Sequence, residues 1–157
     1  MVTTCAECGC LVERGVRVAA CADDACCCSH LSSREALDHL ARAVRTAFSE
    51  RDLEGFGSLL APDVRWGDDD APNRCRSRDD VVSTLRGALE RGVSGSLGEV
   101  ETGPAGVLAH LVVTRSDAPE ETRDLYHLYA VRAGRISEIV PFSSRADAAA
   151  ALAAIPT

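Results

Sequence analysis

The sequence predicts an α+β domain in which a cone-shaped, curved antiparallel sheet wraps around three helices, preceded by a small cysteine-rich segment stabilised by metal. Three observations predict it. Apolar residues recur at helical spacing from about residue 34 to 89, the period then changes from 3.6 to 2 between about 97 and 142, and seven of the eight cysteines fall before residue 30. Residues 1–32 are expected to form the cysteine-rich segment and 33–157 a single α+β pocket domain.

The first segment holds Cys5, Cys8, Cys10, Cys21, Cys26, Cys27, Cys28 and His30, seven thiols and an imidazole within 26 positions. The residues between them are small or polar, so apolar burial cannot fold this stretch. Disulfides are disfavoured because the thiol count is odd and the adjacent Cys26, Cys27 and Cys28 pair poorly with one another. The opening MVTTCAECGC also has no charged and apolar leader, which makes a reducing, cytoplasmic setting the expected one. An iron–sulfur cluster takes four thiolates and explains fewer of these residues. One structural zinc would need only Cys5, Cys8, one of Cys26 to Cys28, and His30. Eight ligands at about four per ion, with sharing, lead to an expectation of two or three zinc or other soft ions. Cys5-Ala-Glu-Cys8-Gly-Cys10 followed by Cys26-Cys27-Cys28-Ser-His30 resembles the CxxCxC and late Cys/His portions of bacterial metallothioneins. That resemblance implies zinc storage or detoxification in a small zinc-finger-like fold, although the further Cys/His run of that family is missing here. A metal-folded cap docked on the body is the alternative.

The body opens with Ser32 and Glu35 as a capping box, and Leu37, Leu40, Ala41, Val44 and Phe48 then define a helix over about 34–49. A shorter helix follows Asp52, with Leu53, Phe56, Leu59 and Leu60 on its apolar side and Pro62 ending it. Asp63 to Gly67 reads as a short strand interrupted by the acidic turn Asp68-Asp69-Asp70-Ala-Pro72. Ser77 with Asp80 marks the start of a third helix, carried by Val81, Val82, Leu85 and Leu89 to about Gly92. Strands are expected over 97–102, 106–115, 122–132 and 135–142, with a polar loop over 116–121. In the third of them Leu125, His127, Tyr129 and Val131 share one face and Tyr126, Leu128 and Ala130 the other. Pro141 has no N–H for a ladder, so it belongs at an edge or a strand end. An alanine-rich helix over 145–154 closes the body.

Composition narrows the function. All 17 basic residues are arginine, so Schiff-base and lysine general-base chemistry are excluded. A net charge of −7 argues against nucleic-acid or anionic-membrane binding. No apolar run approaches the ~20 residues of a membrane span. There is no P-loop, dinucleotide glycine motif or HExxH, hence no nucleotide cofactor is expected.

The stretches Glu50-Arg-Asp52-Leu-Glu-Gly-Phe56, Leu60-Ala-Pro-Asp63-Val-Arg-Trp66, Arg78-Asp-Asp-Val81 and Tyr129-Ala-Val-Arg-Ala-Gly134-Arg135-Ile136 resemble the nuclear-transport-factor-2-like superfamily, especially its SnoaL-like branch, over about 34–154. The resemblance implies a pocket between sheet and helices, often in a homodimer packed through the sheet. Against the ketosteroid isomerases of that superfamily, Asp68 falls near the base, Val44 replaces the oxyanion tyrosine, and Tyr126 replaces the protonated aspartate. Isomerase activity of that kind is therefore not expected, whereas a SnoaL-type polyketide cyclase also uses a pocket carboxylate and keeps Asp68 as a catalytic candidate. The alternative is that Asp68 to Asp70 are a solvated acidic turn.

Trp66, Tyr126, Leu128 and His110 are the expected lining of a pocket for a small-molecule ligand, with core packing as the alternative for the aromatics. His110 and His127 are candidate bases or ligands, or hydrogen-bonded structural histidines. Cys75, flanked by Arg74, Arg76 and Arg78, is a candidate reactive thiol. Three functions follow. The preferred one is a zinc-binding protein with a small-molecule-binding domain, handling or sensing metal without catalysis. The others are a cyclase, isomerase or dehydratase of secondary metabolism with a structural zinc segment, and a dimeric protein-interaction module.

Overall fold

The computed structural model describes residues 2–4, 11–13, 16–17, 33–67 and 74–155. Three short strands, β1 (Val2–Thr4), β2 (Leu11–Glu13) and β3 (Val16–Arg17), pair antiparallel in the order β1-β2-β3. The expected metal ligands Cys5, Cys8, Cys10, Cys21, Cys26, Cys27, Cys28 and His30 lie outside the described residues.

The body follows the expected order. Helix α1 (Ser33–Glu50) buries Leu37, Leu40, Val44 and Ala47, an i, i+3, i+7, i+10 stripe on one side of a helix with 3.6 residues per turn. Helix α2 (Leu53–Ser58) is capped by Asp52, whose Oδ1 accepts the Gly55 N–H at 2.8 Å. Helix α3 (Arg78–Glu90) is capped by Ser77, whose hydroxyl oxygen accepts the Asp80 N–H at 3.2 Å. Five further strands, β4 (Leu60–Trp66), β5 (Val93–Thr102), β6 (Gly106–Arg115), β7 (Ala118–Arg132) and β8 (Arg135–Phe142), form a sheet in the order β4-β8-β7-β6-β5. Helix α4 (Arg145–Ala154) follows.

Strand alternation divides the sheet into two packed faces. Val107, Ala109, Tyr129, Ile136 and Ile139 pack with α1, Phe56 of α2 and Val81 of α3 in the main core. Leu108 and Leu128, on the opposite pleat, pack with Ala148 and Leu152 of α4. Three helices thus sit in the concavity and the fourth covers part of the outer face. Register shifts at Leu97/Val100 in β5–β6 and at Ala130/Val131 in β7–β8 mark bulges, which bend and twist strands and so curve the sheet.

Three expectations are corrected. The sheet is mixed rather than antiparallel: β4 runs parallel to β8, two strands separated by α3 and a three-strand meander, so no hairpin turn fixes their relative direction. The second helix stops at Ser58, and Leu60 and Pro62 belong to β4. Pro62 is tolerated there because β4 is an edge strand and its pairing is interrupted between Leu60 and Arg65. The polar loop over 116–121 contracts to the turn Ser116-Asp117, since β6 and β7 remain paired out to Arg115 opposite Ala118. Pro141 does lie near a strand end, beyond Ile139, the last β8 residue paired with β4.

Candidate functional site

The chain folds so that the ends of α1, α2 and α3 stand over the inner face of β5, β6 and β7, and between them lies a cavity of about 230 Å³. That volume falls a little below the ~300–1,000 Å³ usual for ligand sites, a size suited to one or two fused rings. Its walls are mainly apolar: Val81, Leu85 and Ala88 from α3, and Leu111, Val113 and Leu125 from the sheet, are among them. Five aromatic rings run through it in edge contact. Phe48 meets Phe56 at 5.5 Å between ring centroids, Phe56 meets Tyr129 at 6.1 Å, Tyr129 meets His127 at 6.0 Å, and His127 meets Trp66 at 5.6 Å. Interplanar angles of 64–84° give the edge-to-face geometry that suits aromatic quadrupoles.

Two buried polar groups interrupt this apolar surface. The Tyr129 hydroxyl and His127 Nε2 are buried, and neither has a hydrogen-bond partner among the described residues. Both arise from one sequence feature, a strand that alternates so that Leu125, His127 and Tyr129 all face inward. Burial pushes the His127 pKa down to about 4, so the imidazole is neutral at neutral pH. Burial also raises the Tyr129 phenol well above its ordinary value, which keeps its proton in place. A buried, unsatisfied polar group costs about 1–3 kcal/mol. A ligand oxygen that meets them recovers this cost. In an apolar setting a fixed donor stabilises charge developing on that oxygen far more than water would.

Of the expected pocket residues, Trp66 lines the cavity. The other three do not join it, because β6 and β7 turn them to the outer face. His110 stacks on Tyr126 at 4.9 Å, and its Nε2 lies 2.8 Å from Asp124 Oδ1. Leu128 is buried beneath α4. His110 and Tyr126 border a shallow groove with Glu99, Glu101 and Arg145, whose guanidinium engages both carboxylates. Cys75 is buried in the main core, its sulfur 3.4 Å from the Thr84 hydroxyl. Its backbone pairs with Trp66 through two 3.0 Å hydrogen bonds. Asp68 lies outside the described residues. Among the described residues no three His, Cys, Asp or Glu side chains gather as a metal site. Tyr129 was not singled out in the sequence, although a phenol and an imidazole two residues apart on an otherwise apolar strand face were the signal that could have found it.

Comparison with known proteins places this architecture. A model of the SnoaL-like domain matches residues 41–139. The chain belongs to the SnoaL-like family. Among solved structures, a candidate polyketide cyclase from Xanthomonas campestris is 20% identical, with a TM-score of 0.59, over 78% of this chain and 100% of that one. A candidate ketosteroid isomerase from Kribbella flavida is 21% identical, with a TM-score of 0.57, over 69% and 77%. An NTF2-like protein of unknown function from Burkholderia pseudomallei is 22% identical, with a TM-score of 0.56, over 76% and 98%. At these identities the likeness concerns the fold. No curated protein matches the chain. No described helix is long and apolar enough to cross a membrane.

Proposed function

We propose that this SnoaL-like domain is an enzyme of the cyclase, isomerase or dehydratase kind, acting on a small, largely apolar compound that carries a carbonyl or enol oxygen. The observation that carries this reading is a pair of buried polar groups without a partner among the described residues, Tyr129 OH and His127 Nε2, on two residues that line an apolar cavity. Tyr129 donates to the carbonyl oxygen and stabilises it as it gains charge when a proton leaves the adjacent carbon. The neutral His127 imidazole supplies a second polar contact and no competing charge. Asp68, two positions beyond the cavity-lining Trp66 in the sequence, is the carboxylate we assign to take that proton. The candidate polyketide cyclase and ketosteroid isomerase among the structural relatives support the class of chemistry. Metal handling by the cysteine-rich segment, the preferred expectation from sequence, has less support than this reading.

A bicyclic ketone, 2-tetralone, tests it. Binding should change the fluorescence of Trp66, the chain's single tryptophan. The protein should also accelerate exchange of the ketone's α-protons with deuterium, followed by NMR. Ala88→Phe, which fills the cavity from α3, should abolish both signals; exchange that survives it would place the chemistry elsewhere.

A second proposal rests on sequence alone and concerns Cys5, Cys8, Cys10, Cys21, Cys26, Cys27, Cys28 and His30, which form a soft-metal donor set of the kind that holds zinc. Elemental analysis of protein purified anaerobically should find two or more zinc ions per chain. One tightly held ion would make the segment a structural cap, and none would remove the proposal.

A further inference from the structure

The rim of the cavity carries one arginine whose placement is costly and whose charge no carboxylate matches among the described residues. Arg51 ends α1 with φ +54°, in the left-handed region where glycine is the favoured residue. The turn is held by Arg51 N–H donating to the Phe48 carbonyl at 3.2 Å and Asp52 N–H donating to the Ala47 carbonyl at 2.8 Å. A non-glycine residue kept in that conformation at a binding site suggests that its side chain is needed there. Arg51 is exposed and lines the cavity. Arg86, Arg115, Arg132 and Arg145 each pair with a carboxylate, whereas Arg51 pairs with none among the described residues. Its neighbour Asp52 also lines the rim, but the Asp52 carboxylate is held by the Gly55 N–H at the start of α2.

The cavity is thus polarised along its length. At the rim stands a guanidinium with no carboxylate partner among the described residues, the middle is apolar and aromatic, and the buried end is lined by Tyr129 and His127, which carry no net charge. We infer that Arg51 anchors a carboxylate, so that the ligand class is a one- or two-ring carboxylic acid whose ring fills the cavity and whose second oxygen reaches Tyr129 and His127. This rests on the reading of the cavity as a site for a small carbonyl compound and narrows that compound to an acid. The planar fork of arginine matches a carboxylate with two hydrogen bonds, whereas a neutral amide of the same shape gains no ionic attraction.

The isosteric pair 2-naphthoate and 2-naphthamide, titrated calorimetrically into the full chain, provides the test. Wild type should bind the acid about tenfold or more tightly than the amide, as expected for a charge-assisted hydrogen bond. Arg51→Gln should bring the two to equal affinity by weakening the acid alone. Arg51→Gly should also erase the preference while raising the melting temperature, because glycine relieves the left-handed strain. Equal binding of acid and amide by wild type would overturn the anchor and leave the apolar cavity standing. Failure of both probes to bind would overturn the anchor together with the cavity reading. A preference for the acid that survives both Arg51 variants would also overturn it.

Discussion

Tyr129→Phe should lower the rate of 2-tetralone proton exchange by about 10²-fold, the size of effect expected when a preorganised donor to a developing oxyanion is removed. The same substitution should leave the protein no less stable, and more stable by up to about 1–3 kcal/mol, since the hydroxyl it removes is a buried group without a partner among the described residues. The two outcomes have one physical origin. A donor left unsatisfied in the free protein is a standing cost, released only when a ligand oxygen arrives. Chemical denaturation and exchange kinetics on the same preparation check both. A variant that loses stability and keeps its exchange rate would show Tyr129 to be core packing, a role its contact with Phe56 would then fill.

Stability should fall as pH is lowered from 6.5 towards 4, and His127 is the cause. Its folded-state pKa of about 4 lies below the ordinary 6.5. Above pH 6.5 the imidazole is neutral in both states and contributes no pH dependence. Between 6.5 and 4 the unfolded chain binds a proton that the folded chain refuses, so unfolding becomes easier as pH drops. At ~1.4 kcal/mol per unit the loss reaches about 3 kcal/mol by pH 4. Urea denaturation of wild type and His127→Phe across this range isolates the term, because the variant cannot titrate there. The difference between their unfolding free energies should change by about 3 kcal/mol between pH 7 and pH 4. Parallel profiles would mean that water reaches the imidazole in the folded state. Asp63, whose pKa the Arg132 guanidinium holds below the usual 3.8, acts only at lower pH and does not confuse this window.

Much of the fold was legible because local signals agreed with the tertiary result. The stripe Leu37, Leu40, Val44 defined α1, and Ser77 with Asp80 marked the start of α3. Strands β6 and β8 begin and end where alternation and turn residues place them. The failures came where a long-range partner overruled the local cue. Leu59 and Leu60 continue a helical pattern, yet Leu60 is drawn into pairing with Ile136, so Pro62 is carried by an edge strand. Sequence alternation put His127 and Tyr129 on one side of β7 and Tyr126 and Leu128 on the other, but it could not say which side faces a cavity.

What the sequence determined by itself is therefore the list of elements in the body, the α+β class and the two faces of the β7 strand, all properties of neighbours within a few residues, whereas the β1-β2-β3 sheet was not expected. The tertiary structure decided the direction of β4 against β8, the placement of α4 on the outer face, and which of the four expected pocket residues would line the cavity. Only Trp66 did. A cavity exists between elements, and its lining is fixed by how the sheet curves beneath α1, α2 and α3, a geometry to which Phe48, Leu85, Leu111 and Tyr129 contribute from positions that no local pattern connects.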